Sequence, residues 1–184
     1  ETTFDIRHSE EGEVKSSLVP PDMAMCPACE CELHEVHDRR YDYFFINCTN
    51  CGPRYSIIKT VPYDRPNTSM HPFIMCDACQ AEYTNPLDRR YHAQPISCPH
   101  CGPTLTLKNM NDDVIAHNHD AIKQLADLIQ KGHIVAMKGM GGFHLMCDAT
   151  NDTTLAALRE RKRRPTKPFA VMFKDMTSLE SVCV

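Results

Sequence analysis

Eight cysteines stand in four C-x2-C pairs: Cys26/Cys29, Cys48/Cys51, Cys76/Cys79 and Cys98/Cys101. A C-x2-C turn puts two thiolates on one side of a tight knuckle, and two knuckles together offer four sulfurs tetrahedrally, about 2.3 Å from one Zn²⁺. Four protein ligands leave no open coordination position, so such a centre is structural rather than catalytic. The gaps 30–47 and 80–97 are both 18 residues long, and the chain therefore writes two C-x2-C-x18-C-x2-C units with a period of 50. The same offset carries DRRY at 38–41 onto DRRY at 88–91, and CGP at 51–53 onto CGP at 101–103. Two copies of one module is the simplest reading. Repetition at knuckle spacing argues against disulfides and against an iron–sulfur cluster. Four pairs can be joined two by two in three ways. Sequential joining, within each unit, is preferred here to an interleaved set of 26/29 with 98/101 and 48/51 with 76/79.

Two more features could carry chemistry. In KGMGG, 138–142, an expected strand runs into a loop without side chains, where backbone N–H groups can approach an anion and Lys138 can add charge. A tight strand-to-strand turn explains the same residues equally well. In RERKRRPTKP, 159–168, six Lys and Arg (Arg159, Arg161, Lys162, Arg163, Arg164, Lys167) face one acid, Glu160. So dense a cluster repels itself unless an anion balances it, which points to phosphate, nucleotide or RNA more than to a solvated helix end.

The residues around the cysteines suggest bracing. Gly52 and Gly102 follow the second pair of each unit, where positive φ is often needed. The run after Gly52 and Pro53 reads as strand-like, and the loop carrying Val36 in place of Pro86 is expected to differ between the copies. His34, His37, His71, His92 and His100 lie near a ligand set that is already complete, so they read as surface or supporting residues, and Cys31, matched by Ala81, reads as a bystander. Over 26–107 seven Lys and Arg stand against nine Asp and Glu, and zinc-bound thiolates add negative charge. That is no basic stripe for nucleic acid. Arg39, Arg40, Arg89 and Arg90 are read as pairing with neighbouring acids or bracing the fold.

From about Lys108 the chain changes character. HDAIKQLADLIQKG, 119–132, sets Ile122, Leu125, Ala126 and Ile129 at helical spacing, with Asn118 or Asp120 as cap and Gly132 as stop. HIVAMK (133–138), FHLMCDA (143–149) and FAVMF (169–173) read as strands, separated by a helix capped by Asn151 or Asp152 and ended by Pro165; Asp175 begins a further helical turn. This alternation predicts an α/β domain distinct from the cysteine-rich part.

The totals set bounds. The 184 residues suffice for one or two domains, and 42% hydrophobic residues, 24% charged and a net charge of −4 describe an ordinary globular chain. No apolar stretch approaches the roughly 20 residues of a bilayer span, and ETTFDIRHSEEGE at the start lacks the shape of a signal peptide, so a cytoplasmic address is expected.

The tandem units with DRRY and NCTNCGPRYSI (47–57), followed by KGMGGFHLMCDATND (138–152) and LRERKRRPTKPFAVM (158–172), closely resemble HypF, the carbamoyltransferase family of nickel–iron hydrogenase maturation. The resemblance runs from about residue 18 to the end. It implies an α+β chain: 1–17 as the exit of an acylphosphatase-like domain, 18–108 as a tandem four-cysteine zinc-finger module with two structural Zn²⁺, and 115–184 as the truncated N-terminal part of a YrdC-like domain. In that family ATP, with Mg²⁺, and carbamoyl phosphate form a carbamoyl-adenylate, and the carbamoyl group passes to the C-terminal cysteine of HypE. The resemblance assigns Lys138, Gly141, Gly142, Lys162, Arg163, Arg164 and Lys167 to the nucleotide and carbamoyl pocket; His144, two residues past the glycines, is a candidate contact by its position. It also implies that so short a YrdC-like piece has no turnover alone. The competing expectation is a zinc-ribbon regulator that binds double-stranded RNA through its basic cluster.

Overall fold

A computed structural model describes residues 19–139 and 141–183. The exit segment expected over 1–17 lies outside the described residues. The chain divides into two compact units between Leu105 and Thr106.

The first unit repeats itself in backbone as well as sequence. Helices α1 (Pro27–His34) and α2 (Asp77–Thr84) each begin just after the first cysteine of a pair and bury a single residue, Cys29 or Cys79. Eight-residue helices are marginal by themselves in water, so tertiary anchoring must hold them. The turn after each helix is the same: Asp38 N–H donates to Glu35 O at 2.9 Å and Asp88 N–H to Asn85 O at 3.0 Å, and Asp42 and His92 share a φ of +52°. The loop expected to differ through Val36 and Pro86 therefore does not, because its path is set by these backbone bonds. The Asp of each DRRY also accepts the backbone N–H of the second arginine, Arg40 or Arg90, at 2.7 Å, which aims the arginines away from their own helix.

The core of this unit is largely sulfur. Tyr43 and Ile46 pack with Cys29, Cys48 and Cys51 in one copy, Ala93 and Ile96 with Cys79 and Cys98 in the other. Beyond the second knuckles the copies part. Residues Tyr55–Ile57 form a single 3-10 turn, not a strand, since Asp22 accepts the N–H groups of Arg54 (2.7 Å) and Ser56 (3.1 Å) that a neighbouring strand would have used. The corresponding run in the second copy is strand β1 (Thr106–Lys108).

The second unit pairs its strands only as hairpins. β1 lies antiparallel to β2 (Val114–His117), and β3 (Val135–Lys138) lies antiparallel to β4 (Phe143–Met146), giving two separate two-stranded sheets among the described residues. Helix α3 (Asn118–Gln130) follows β2, with His117 at its N-cap in place of the expected Asn118 or Asp120. Gly132, at φ +79°, ends it as expected: its N–H reaches Ile129 O (2.9 Å) and His133 N–H reaches Leu128 O (3.0 Å). This pair of hydrogen bonds is the Schellman arrangement, which needs a left-handed residue at that point. Helix α4 (Asp152–Arg161) is capped by the Asn151 side chain, and the short α5 (Met176–Glu180) by Asp175. Residues 169–173, expected as a third strand, join no ladder, and Val171 and Met172 are exposed. An apolar run becomes a strand only with a partner for its backbone groups. Among the described residues no helix is long and apolar enough to cross a membrane.

Candidate functional site

The knuckles gather the eight paired cysteines in two groups of four, Cys26, Cys29, Cys48 and Cys51, then Cys76, Cys79, Cys98 and Cys101, with the sulfurs of each group within 4.8 Å of one another. The joining is sequential. In the first group the sulfur separations are 3.7 Å (26–48), 3.8 Å (48–51) and 3.5 Å (51–29); in the second they are 3.7 Å (76–98), 3.6 Å (98–101) and 3.6 Å (101–79). A tetrahedron with metal–sulfur arms of about 2.3 Å has edges of about 3.8 Å, so both groups fit a four-thiolate Zn²⁺. None of the eleven cysteines is in a disulfide. Among the described residues no histidine joins either group, and Cys31 is exposed outside both.

The glycines after the knuckles do different work. Gly52 has φ +92°, and a Cβ there would stand 2.6 Å from Asn47 Cβ. Gly102 has no positive φ, contrary to expectation; it is required because a side chain would overlap Tyr43 Oη and Ser97 Cβ. Burial pushes the Tyr43 phenol up to about 12.

Each centre is wrapped by arginines of the other copy. Arg39 donates to Cys79 Sγ at 3.1 Å and Cys76 Sγ at 3.5 Å while pairing with Glu82 at 2.7 Å. Arg89 mirrors it, donating to Cys29 Sγ at 3.1 Å and pairing with Glu32. The two following arginines are buried: Arg40 pairs with Glu82 and donates from Nε to Ser97 O at 2.9 Å, and Arg90 pairs with Glu32 and donates from Nε to Asn47 O at 3.0 Å. The bracing read from the sequence is thus present, with partners in the opposite copy and not among neighbouring acids. Burial opposes the charges of Arg39 and Arg89, but bonds to sulfur and carboxylate more than reverse it and raise both. Burial likewise raises Glu32 and Glu82, and the paired guanidiniums outweigh it, holding both below the ordinary carboxylate range. A Zn²⁺ with four thiolates carries a net charge of about −2, so cations at this distance are complementary to it.

In the second unit, Lys138 ends β3 opposite Phe143, and Gly139 N–H donates to Gly142 O at 2.7 Å, closing the β3–β4 connection as a turn. Lys138 Nζ lies 5.1 Å from the centre of the Phe143 ring, and the His144 ring lies against Gly139. The basic run begins in the last turn of α4, with Arg159 and Arg161, and continues past its end. Two of its arginines hold the loop itself: Arg159 donates to Lys167 O (3.0 Å), Arg164 donates to Pro168 O (3.0 Å), and both cover the Phe169 ring. Lys162, Arg163 and Lys167 are exposed. No hydrogen bond or ion pair joins the 138–142 turn to this cluster among the described residues. The structural share of Arg159 and Arg164 was not legible in the sequence, although Phe169 just beyond the prolines is the kind of residue on which guanidiniums stack.

The family described as "HypF finger" matches twice, over residues 25–58 and 75–108, and the Sua5/YciO/YrdC family, described as "Telomere recombination", matches residues 127–184. A protein named carbamoyltransferase HypF from Synechocystis sp. is 56% identical over 175 residues, covering 95% of this chain and 23% of the relative. A protein named probable carbamoyltransferase HypF from Methanocaldococcus jannaschii is 50% identical over 171 residues, covering 93% of this chain and 22% of the relative. Among solved structures, T. kodakarensis HypF is similar with a TM-score of 0.81 at 50% identity, over 90% of this chain and 21% of that one. A full-length HypF in a phosphate- and nucleotide-bound form gives 0.79 at 48% identity, with the same coverage. The chain spans about a fifth of the length of the curated relatives it matches. With two finger matches, a YrdC-like match in the right order and this identity across nearly the whole chain, it belongs to the HypF family, over the stretch that carries the paired four-cysteine fingers and the start of the YrdC-like domain.

Proposed function

We propose that this stretch serves an enzyme that activates carbamoyl phosphate with ATP and Mg²⁺ to a carbamoyl-adenylate and passes the carbamoyl group to the C-terminal cysteine of HypE. The observation that carries the reading is the similarity to a protein named carbamoyltransferase HypF, 56% identical over 95% of the chain. In this reading residues 18–108 are a zinc-stiffened scaffold, and 115–184 contribute one wall of the adenylating pocket.

The chain's own residues have suitable chemistry. Gly142 has φ +148°, which the turn itself requires of glycine, whereas Gly141 has no positive φ and nothing within 4 Å of a Cβ placed there, so packing does not call for glycine at 141. Three glycines among the four residues between Lys138 and Phe143 leave backbone N–H groups that phosphate can approach closely. Lys162, Arg163 and Lys167 present exposed cations at and beyond the end of α4, and Arg164 donates to Pro168 O. Together with Lys138 they would orient the phosphates and stabilise charge developing on the α-phosphate as pyrophosphate leaves, an electrostatic and positioning role.

The test is ATP titration of the full-length protein with Lys162→Ala and Arg163→Ala combined. A loss of affinity of roughly tenfold or more, about 1.4 kcal/mol, is expected. Unchanged ATP affinity overturns the pocket. If the same variant instead loses a salt-dependent affinity for double-stranded RNA, the regulator reading takes its place.

A further inference from the structure

The cross-wrapping of the two centres has a thermodynamic consequence. Glu32 lies in α1, three residues past the ligand Cys29, and it is the carboxylate that holds Arg89 and Arg90. Glu82 occupies the same place in α2 and holds Arg39 and Arg40. Each buried arginine also bonds the carbonyl just before the other copy's second knuckle, Ser97 O before Cys98 and Asn47 O before Cys48. A four-thiolate site that loses its ion loses most of what folds it. Loss at the first centre therefore frees α1 and the loop that follows it. Arg39 and Arg40 leave the second centre with that loop, and Glu32 no longer anchors Arg89 and Arg90. The pseudo-symmetry makes the converse hold residue for residue.

We propose that the two four-cysteine centres load and release zinc as a coupled pair, with Arg39 and Arg89 as the positioning residues that transmit the coupling. The link is a continuous set of hydrogen bonds between two elements that each have a folded and an unfolded arrangement, which is the physical requirement for coupling between sites. It must also be reciprocal: whatever factor the first ion contributes to binding of the second, the second contributes to the first.

The partition of species at half loading reads this directly. Two independent identical sites put about half of the molecules in the one-zinc form, and unequal affinities only raise that share, whereas a coupling of about tenfold lowers it to about a quarter. The measurement is native mass spectrometry of the reduced, metal-free 184-residue chain given one equivalent of Zn²⁺, then two. A one-zinc share well below half is expected at one equivalent, with the two-zinc form dominant at two. In the double variant Arg39→Gln/Arg89→Gln the one-zinc share should return to half or more. An arginine pair that merely supports each finger would weaken both sites and leave the partition unmoved. A one-zinc share of half or more in the unsubstituted chain overturns the coupling even if the double variant does not fold. Failure to reach two ions at all would instead overturn the zinc reading, so the two failures are distinguishable.

Discussion

The two units differ in what lines their interiors. The finger unit folds a charged interior: Arg40, Arg54, Arg65 and Arg90 are all buried in it, each with several acceptors. Arg65, for example, donates to Gln94 O, Ile96 O and Phe73 O at 2.7–2.9 Å. The second unit has four buried residues among those described, Ala116, Ala121, Thr154 and Leu158, and leaves Phe143 and Met172 at 70% and 88% exposure. Buried guanidiniums survive only when every donor finds a partner. The finger unit supplies those partners as main-chain carbonyls and the Glu32 and Glu82 carboxylates, so arginine bracing stands beside a core made largely of sulfur. In the second unit, hairpin turns and helix caps shape the backbone.

The largest expected effect on that contrast is removal of metal. The purified chain should hold two zinc ions, and a strong chelator under reducing conditions should collapse the amide dispersion of residues 19–105, at a cost on the order of 10 kcal/mol per site, while signals of α3 and the β3–β4 hairpin persist. Survival of the finger signals without metal would break the comparison at its root. Next is Arg40→Ala, which strips Glu82 and Ser97 O of a buried partner; a loss of about 3–5 kcal/mol, read by denaturant titration of the zinc-loaded chain, is expected. Gly102→Ala tests the claim about space: overlap with Tyr43 and Ser97 should cost about 1–3 kcal/mol in the same titration, and an unaffected midpoint would show that the knuckle can yield. Smallest is Asn151→Ala in the second unit, which removes the acceptor for Thr154 N–H at 3.0 Å. About 1 kcal/mol should be lost, seen as faster amide exchange at the start of α4 with no change in zinc content.

Much of the local structure could be read from short-range signals. Asn151, Asp175 and Gly132 act as caps and stop where their types suggested, and the helix over 119–132 is present. Its buried face was read less well: Ala121 is buried and Ala126 exposed, since the hairpins decide which side of α3 is covered. The run at 169–173 has strand composition but joins no ladder, because composition cannot supply a partner. In KGMGG the turn was one of two readings open in the sequence, and the antiparallel register of β3 and β4 produces it.

What the sequence by itself determined is the pair of metal centres. Ligands three residues apart share a knuckle whatever the rest of the chain does, and the repeat of 50 residues declares the second centre a copy of the first. Only the tertiary structure decided where the DRRY arginines go. Their partners Glu82, Cys79, Glu32 and Cys29 lie 40 to 60 positions away, in the opposite copy. A separation of that kind leaves no period in the sequence, because it is set by how two folded copies face each other and not by the path of the chain through either one.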